Sequence, residues 1–241
     1  MEQDLIISRA LIELYSSQEF SAHMLFRGGT ALHKLVLNPT ARYSENLDFV
    51  QMRPEPIGSV LDSIRASLDP WLGEPRRQNS VRGTTLIYRV QSELPPVIPL
   101  RLKIEINTRE HFQVFAVERR TLAVETRWFT GTSHIPTYAL DELLGTKLRA
   151  LYQRRKGRDL FDLWLGLTQG GANAKRIAEA FHAYLKAEGH AVTAAQLRQN
   201  LAAKMSDAAF LSDVPPLLRP GIAYEAPEAH RLVERELLTR V

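Results

Sequence analysis

RYSENLDFV, residues 42–50, alternates polar and apolar side chains in the way that a half-buried β-strand does. Successive strand residues face opposite sides of a sheet, so Ser44, Asn46 and Asp48 would share one side. The large apolar residues between them would face a core. The polar side would then present an amide and a carboxylate, and the rest of the sequence indicates what these groups could contact.

A second alternating stretch, RLKIEIN at residues 101–107, has the same character. One side of that strand would present Lys103, Glu105 and Asn107, and the other would bury three aliphatic side chains. Each of the two strands therefore offers an acidic group on its polar side. Alternation of this kind usually marks a half-solvated antiparallel sheet, and the two strands alone do not exclude that interpretation.

A Gly-Gly-Thr turn, formed by Gly28, Gly29 and Thr30, lies in FRGGTALHKL, shortly before the first of these strands. The stretch is typical of a strand, a turn and a helix, in which the glycines permit positive φ and Thr30 caps the helix. Exposed N–H groups at a helix N-terminus bind phosphates, although a plain strand-to-helix turn fits as well. Together with two carboxylate-bearing strands, the turn favours a site for a nucleotide and for Mg²⁺ or Mn²⁺, because such ions prefer carboxylate oxygens.

The second half of the chain contains KLRALYQRRKGRDLFDLW at residues 147–164. Lys147 lies on an apolar helix stripe, so its amine must either reach past the stripe to water or point into a cleft. From Lys147 to Arg158 there are six basic residues and no acidic one, which indicates either a positive patch for a polyanion or a solvated basic face. The candidates for nucleic-acid binding in this run are Arg154, Arg155, Lys156 and Arg158. Asp159 and Asp162 share a helix face.

The remaining patterns predict an α+β fold, with a small mixed or antiparallel sheet and flanking helices followed by a C-terminal helical domain. We expect domains at residues 1–135 and 136–241. Further strands are predicted at TTLIYRVQSEL, residues 84–94, and at VETRWF, residues 124–129, the latter at a sheet edge. Helices are predicted at residues 3–16, 57–72, 139–154, 158–168, 173–188, 193–205 and 225–239.

The composition excludes several classes of site and of protein. The 241 residues include no cysteine, which excludes a disulfide framework, a thiolate metal site and a cysteine nucleophile, and suits a cytoplasmic location. No apolar run reaches the eighteen or so residues of a membrane span, so we expect a soluble protein with no membrane partner. The net charge of +4 permits a polyanionic partner without requiring one.

Four stretches of the sequence resemble, in order and spacing, the motifs of the AbiEii/MenT-type nucleotidyltransferase toxins. They are FRGGTALHKL, RYSENLDFV, LRLKIEIN and KLRALYQRRKGRDLFDLW. These toxins are a branch of the polymerase-β-like nucleotidyltransferase superfamily, and the resemblance extends from about residue 24 to residue 165. It implies a metal-dependent enzyme that transfers a nucleoside monophosphate from an NTP to an acceptor, which in relatives can be the tRNA 3′ end. It also implies a bacterial toxin–antitoxin or phage-defence system and an antitoxin partner.

The resemblance assigns roles in the sheet half of the chain. The Gly28-Gly29-Thr30 turn would bind phosphates, Asp48 would be the second carboxylate of a metal-binding Asp-x-Asp pair, and Glu105 would be the third carboxylate. Ser44 would lie in the nucleotide site, at the position of a serine that kinase-like antitoxins modify in some relatives.

The resemblance also assigns roles in the helical half. Lys147 would contact the triphosphate of the incoming nucleotide. Asp162 would be needed for activity, and Asp159 would lie in the same motif beside the nucleotide. The basic run that ends at Arg158 would suit a tRNA acceptor.

Asn46 departs from the family pattern, because the first aspartate of the metal-binding pair is often found at this position. An amide oxygen can bind a hard cation, but it adds no negative charge and cannot act as a general base. Three explanations stay open: a variant that works with two acidic ligands, a degenerate protein, or an inactivating substitution in a toxic protein. The alternative function is accordingly a module that binds nucleotide or RNA without turnover. A DNA-binding helical regulator has less support, since no basic recognition helix stands out.

Overall fold

The computed structural model describes residues 2–37 and 39–241. The chain divides into two compact units. The first comprises Met1–Leu35, Ser44–Gln113 and Val117–Tyr138, and the second comprises Val36–Tyr43, Val114–Ala116 and Ala139–Val241. The division therefore passes through the RYSENLDFV stretch itself: Arg42 and Tyr43 belong to the second unit, and the residues from Ser44 onward belong to the first.

The first unit is built on a seven-stranded mixed sheet with the strand order β3-β4-β5-β2-β1-β7-β6. This architecture confirms the predicted α+β class, a mixed sheet with flanking helices. Its helices are α1 (Glu2–Ser16), α2 (Gln18–His23), α3 (Gly28–Ala31), which a π-helical turn at Leu32–Val36 continues, and α4 (Gly58–Leu72). Its strands are β1 (Met24–Arg27), β2 (Asn46–Gln51), β3 (Arg76–Ser80), β4 (Gly83–Gln91), β5 (Pro99–Asn107), β6 (Glu118–Glu125) and β7 (Thr130–Thr137).

The two alternating stretches form neighbouring strands at the centre of this sheet. β2 runs parallel to β5 and antiparallel to β1. On one face Phe26, Leu47, Phe49 and the alternate aliphatic residues of β5 are buried, and Phe49 packs against Phe20 of α2 and Phe26 of β1 with ring centroids 5.0 and 5.3 Å apart. The opposite face carries Asn46, Asp48, Lys103 and Glu105, and beside β1 it also carries the buried pair Leu25 and Val50. Alternation along the sequence therefore predicted correctly the face of these four polar residues.

Two predictions about the strands are corrected by the structure, and two strands were not predicted. β2 begins at Asn46, so Ser44 precedes the strand and does not extend its polar row. The predicted strand at residues 124–129 is wrong in position, because β6 ends at Glu125 and the next four residues form a turn closed by a hydrogen bond from the Thr126 N–H to the Phe129 carbonyl, 3.0 Å long. The sequence patterns also missed β3 and β7.

The second unit consists of helices, as predicted for the C-terminal part of the chain. They are α5 (Leu140–Gln153), α6 (Gly157–Thr168), α7 (Ala174–Ala187), α8 (Ala194–Lys204), α9 (Ala208–Leu211) and α10 (Ala226–Val233), which a π-helical turn at Glu234–Leu238 continues. Five of them match predicted helices to within one or two residues at their starts. The short α9 was not predicted. In the part of the chain that the structure describes, no helix is long and apolar enough to cross a membrane.

A buried carboxylate attaches residues 114–116 to the helical unit. Glu142 of α5 is fully buried, and its Oε1 accepts hydrogen bonds from the Val114 N–H and the Tyr184 hydroxyl, both 2.8 Å long. Its Oε2 accepts one from the Phe115 N–H at 2.9 Å. The Arg176 guanidinium lies 3.9 Å from the centre of the Phe115 ring. These contacts place a short segment between two strands of the first unit within the second unit.

We predict that Glu142→Gln lowers the free energy of unfolding by about 2–3 kcal/mol, because the amide nitrogen would meet a donor where the carboxylate oxygen accepted one. Urea unfolding followed by circular dichroism measures the change. Glu179→Gln on α7 is the control, since Glu179 is exposed. Equal stability of the two variants would show that the carboxylate of Glu142 does not hold the segment.

Candidate functional site

Two carboxylates lie side by side on the open face of the first unit's sheet. Asp48 of β2 is in register with Glu105 of the parallel strand β5, and Asn46 is in register with Lys103. Because neighbouring strands are about 4.8 Å apart and registered residues share a face, the two acidic side chains are close neighbours. The Lys103 ammonium lies 2.8 Å from Glu105 Oε1 and offsets part of their repulsion.

Arg27 supplies a second positive charge at this place. It is in register with Asp48 across the antiparallel β1–β2 pair, and its Nη1 lies 2.5 Å from Glu110 Oε2. Burial disfavours the charged guanidinium, but the attraction of Glu110, with smaller contributions from Tyr138 and Asp48, raises the pKa of Arg27 above its ordinary value. The arginine is therefore a permanent cation at the end of β1, directly before the glycine turn.

The Gly-Gly-Thr turn packs directly against Asp48. Gly28 has φ of +80°, and a Cβ at this position would lie 2.4 Å from Asp48 Oδ2. Thr30 is buried, and its hydroxyl donates a hydrogen bond of 2.5 Å to the Asn46 carbonyl. The expected helix cap by Thr30 is wrong, because the N-cap of α3 is Arg27 and no side chain of the described residues caps it. Instead, the threonine ties the turn to the first residue of β2.

Among the described residues, two buried polar atoms at the start of the β2 stretch have no hydrogen-bond partner. The Asn46 amide nitrogen donates to Glu105 Oε2 at 3.2 Å, which is the orientation expected beside a carboxylate, since the amide oxygen would be repelled. In the described part of the chain, its Oδ1 is buried and without a partner, and so is the hydroxyl oxygen of Ser44. Buried polar atoms are nearly always paired, so the unpaired Asn46 Oδ1 beside Glu105 is available to a bound ion or water.

These donors fit a hard divalent cation. Asp48 and Glu105 supply carboxylate oxygens, and Asn46 Oδ1 is a third oxygen with a vacant acceptor. Mg²⁺ is usually held by one or two carboxylates, with water and substrate phosphates completing its coordination. Among the described residues, no group of three or more His, Asp or Glu side chains is placed to hold a metal ion.

The helical unit contains a separate cluster of buried charges. Asp159 and Asp162 of α6 are fully buried, and the Lys147 ammonium of α5 lies 3.1 Å from Asp159 Oδ1 and 2.9 Å from Asp162 Oδ2. Arg42 Nε and Nη2 each donate to one oxygen of Asp162 at 2.8 Å. Arg154 forms a similar fork on Asp159, at 2.7 and 2.8 Å. The stripe residue Lys147 is therefore buried as part of a five-residue ionic network.

The electrostatics of this network favour the charged forms of Asp159 and Arg42. Burial alone would favour the neutral acid, but Lys147 and Arg154 outweigh it and lower the pKa of Asp159. Burial likewise opposes the charge of Arg42, and Asp162 outweighs it and raises the pKa of the guanidinium. Three cations and two anions are thus held at the junction of α5 and α6.

The basic run between α5 and α6 is paired with aspartates. Arg158 Nε lies 3.2 Å from Asp213 Oδ2, and the Lys156 ammonium lies 3.6 Å from Asp213 Oδ1. Arg155 lies 3.5 Å from Asp207, and Arg154 binds Asp159 as described above. The local positive charge that the run suggests is thus partly neutralised. Binding of RNA by these residues stays a prediction.

Three residues of the two charged sites had no assigned role in the sequence predictions. Arg42 is 120 positions from Asp162, so no local spacing indicates that pair. Arg27 precedes the glycine turn, and Lys103 had been placed on the face of Glu105, yet only strand register shows that both flank the carboxylates.

A comparison of the sequence with protein families identifies the family of this chain. Residues 9–233 match the family described as "Nucleotidyl transferase AbiEii toxin, Type IV TA system". The chain belongs to this family. It is therefore a nucleotidyltransferase toxin of a toxin–antitoxin system, as the four sequence motifs indicated. No curated protein matches the sequence closely enough to count as a relative.

Solved structures share the fold of this AbiEii-family chain at low sequence identity. The nucleotidyltransferase toxin MenT4 of Mycobacterium tuberculosis is 19% identical with a TM-score of 0.73, and the match covers 100% of this chain and 84% of that chain. JHP933 of Helicobacter pylori is 18% identical with a TM-score of 0.58, and the match covers 99% and 93% of the two chains. These similarities concern the fold.

We predict that Gly28→Ala reduces nucleotidyl transfer at least tenfold and leaves the protein folded. The new Cβ would collide with the Asp48 carboxylate, and a residue other than glycine is strained at positive φ. Activity and circular dichroism are measured together. Gly58→Ala, whose Cβ would meet nothing within 4 Å, is the control and should behave like the unaltered protein. Full activity of the Gly28 variant would separate this turn from the reaction.

We predict that Asp159→Asn destabilises the protein at neutral pH by about 3–5 kcal/mol, because it breaks a buried ion pair. The pKa of Asp159 is lower in the folded chain than in the unfolded chain, so its stabilisation is complete above about pH 4 and is lost as the pH falls through the folded value. Urea unfolding between about pH 2 and pH 7 should therefore show a shallower acid-induced loss of stability in the variant. Asp62→Asn, at an exposed position of α4, should keep the original slope.

Proposed function

We propose that this AbiEii-family protein transfers a nucleoside monophosphate from an NTP to an RNA acceptor, the 3′ end of tRNA, and releases pyrophosphate. The observation that carries the proposal is the pairing of Asp48 with Glu105 on the open sheet face, beside the unfilled oxygen of Asn46 and against the glycine turn. Mg²⁺ or Mn²⁺ would be held by Asp48, Glu105 and Asn46. When bound there, the ion supplies positive charge that offsets the charge of the phosphates.

The chain's own groups position the reactants. The Gly28-Gly29 turn permits close approach of a phosphate to the backbone, since it has no side chains in the way, and Thr30 fixes the turn to β2. Arg27 lies in the same row as Asp48 and Glu105, and Lys103 lies in the neighbouring row with Asn46, so both would bring positive charge next to the triphosphate. Phosphoryl chemistry of this kind depends chiefly on positioning and on charge stabilisation, which these residues can provide.

The roles of Lys147, Asp159 and Asp162 in nucleotide binding and activity stay a prediction from the family resemblance. In the helical unit, the charges of these residues act on one another and on Arg42 and Arg154. A nucleotide that used Lys147 would have to compete with two buried aspartates for its ammonium. Modification of Ser44 by an antitoxin is likewise a proposal. The side chain is only 8% exposed, so modification would require local opening.

The biological setting follows from the family and from the composition. The toxin–antitoxin assignment implies an antitoxin that neutralises this protein. We place the proposed reaction in the cytoplasm, where NTPs and tRNA are found and where a chain without cysteines is at no disadvantage. A role in phage defence is part of the same proposal.

We predict that Asp48→Asn abolishes transfer of labelled nucleotide to total tRNA, tested with each of the four NTPs and Mg²⁺. Asn46→Asp should raise activity severalfold and lower the Mg²⁺ concentration for half-maximal rate, because a third carboxylate strengthens the attraction for the cation. Asp62→Asn is the matched control for loss of a carboxylate. Transfer by the Asp48 variant at the unaltered rate would refute the site assignment.

Measurement of pyrophosphate separates the enzyme from a binding module. An enzyme releases pyrophosphate when NTP, Mg²⁺ and tRNA are present together. Saturable NTP binding with no pyrophosphate release, in the unaltered chain and in Asn46→Asp alike, would favour the degenerate module over the transferase.

A further inference from the structure

A strip of basic side chains extends across the open face of the sheet from the carboxylates to the β3 edge. Registered residues share a face, so one row across four strands consists of Asn46, Lys103, Ile87 and Arg76. The next row consists of Arg101 on β5 and its partner on β4, Arg89. The row on the other side contains Asp48 and Glu105. The strip and the candidate site therefore lie on one face of one compact unit.

The three arginines of the strip, Arg76, Arg89 and Arg101, are exposed. In the part of the chain that the structure describes, no ion pair involves any of them. The basic run between α5 and α6 differs, since its residues lie within 4 Å of Asp159, Asp207 or Asp213. The strip is consequently a row of positive charge that is available to a ligand from solution.

The spacing of the strip suits a chain of phosphates. Along β5, Lys103 and Arg101 lie two and four residues before Glu105, and each two-residue step amounts to about 6.6 Å. At the far end Arg89 and Arg101 border a shallow cavity of about 370 Å³, together with Val90, Gln91, Pro99 and Leu100. A strand of nucleic acid could thus contact several cations in succession before its end reaches the carboxylates.

We propose that this basic strip, Arg76, Arg89, Arg101 and Lys103, binds the phosphodiester backbone of the single-stranded end of the RNA acceptor. The inference rests on the proposed function, because it supplies the path along which an acceptor end would enter the Asp48–Glu105 site. Guanidinium groups bind phosphate oxygens through paired hydrogen bonds and read no base, so recognition along the strip is independent of sequence. Selection of particular RNAs would have to arise elsewhere.

The test measures RNA binding without NTP, so that it does not depend on transfer. A short fluorescein-labelled single-stranded RNA is titrated with the full chain at several salt concentrations, and anisotropy gives the affinity. Replacing Arg76, Arg89 and Arg101 together by Gln should weaken binding at least tenfold. It should also make the slope of log K against log salt shallower by about 2, since each phosphate contact contributes roughly 0.7.

Two control variants isolate the position and the chemistry of the strip. The first control variant loses the same charge from exposed positions of the same unit, through replacement of Arg53, Arg77 and Arg119 by Gln. It should keep the salt slope of the unaltered chain. The second control variant keeps the charge of the strip, through replacement of Arg76, Arg89 and Arg101 by Lys. Its salt slope should equal that of the unaltered chain. Circular dichroism confirms folding of each variant. The lysine variant should also bind RNA more weakly than the unaltered chain at the same slope, because an ammonium cannot form the paired hydrogen bonds of a guanidinium, and this loss reports on the strip even if the glutamine variant is unstable.

The outcomes separate this proposal from the proposed function. Loss of RNA affinity in the strip variant with NTP binding unchanged supports the strip, even if no transfer is detected with any acceptor. Equal loss in the strip variant and the control variant would overturn it, because the effect would then come from net charge alone. Loss of NTP binding with RNA binding retained would also overturn it, since the arginines would then serve the triphosphate.

Discussion

The parallel register of β2 and β5 is the constraint on which the proposed site of this protein depends. It sets Asp48 beside Glu105, an arrangement that charge repulsion alone would oppose. The opposite face holds it in place, since Leu47, Phe49 and their neighbours on β5 are buried. A slip of one residue would move that entire apolar row to the open face, at a cost in burial far greater than the relief of one repulsion.

The same register determines what can lie next to the carboxylates. Gly28 contacts Asp48 so closely that no side chain fits between them, and its positive φ suits glycine. Thr30 then uses its hydroxyl to bind the main chain of β2 rather than to cap its own helix. The turn and the strand behave as one piece, in which the backbone amides of the turn are fixed relative to the acidic pair.

Local sequence patterns predicted the sheet face and the main helices, because each depends on residues close together in the chain. They failed where contacts between distant residues decide. The β6–β7 hairpin has few buried apolar residues on β6, so its strands gave no clear alternation. The basic run between α5 and α6 looked like a free patch because Asp207 and Asp213, which pair with it, lie about fifty positions later. The basic strip on the sheet was not predicted, because its cations lie on three different strands and come together only through the strand register.

At position 46, an amide in place of a carboxylate changes the charge balance of the site when no cation is bound. With an aspartate there, three carboxylates would adjoin one another, and Lys103 and Arg27 would balance only part of their charge. The amide replaces one repulsion by a hydrogen bond to Glu105, so the acidic pair keeps its geometry before any cation arrives. At the proposed cation site the attraction would be weaker by one charge, yet Asn46 Oδ1 would still be available as a neutral ligand. Under that proposal, Asn46 favours a site whose shape depends less on the cation and which binds the cation less tightly.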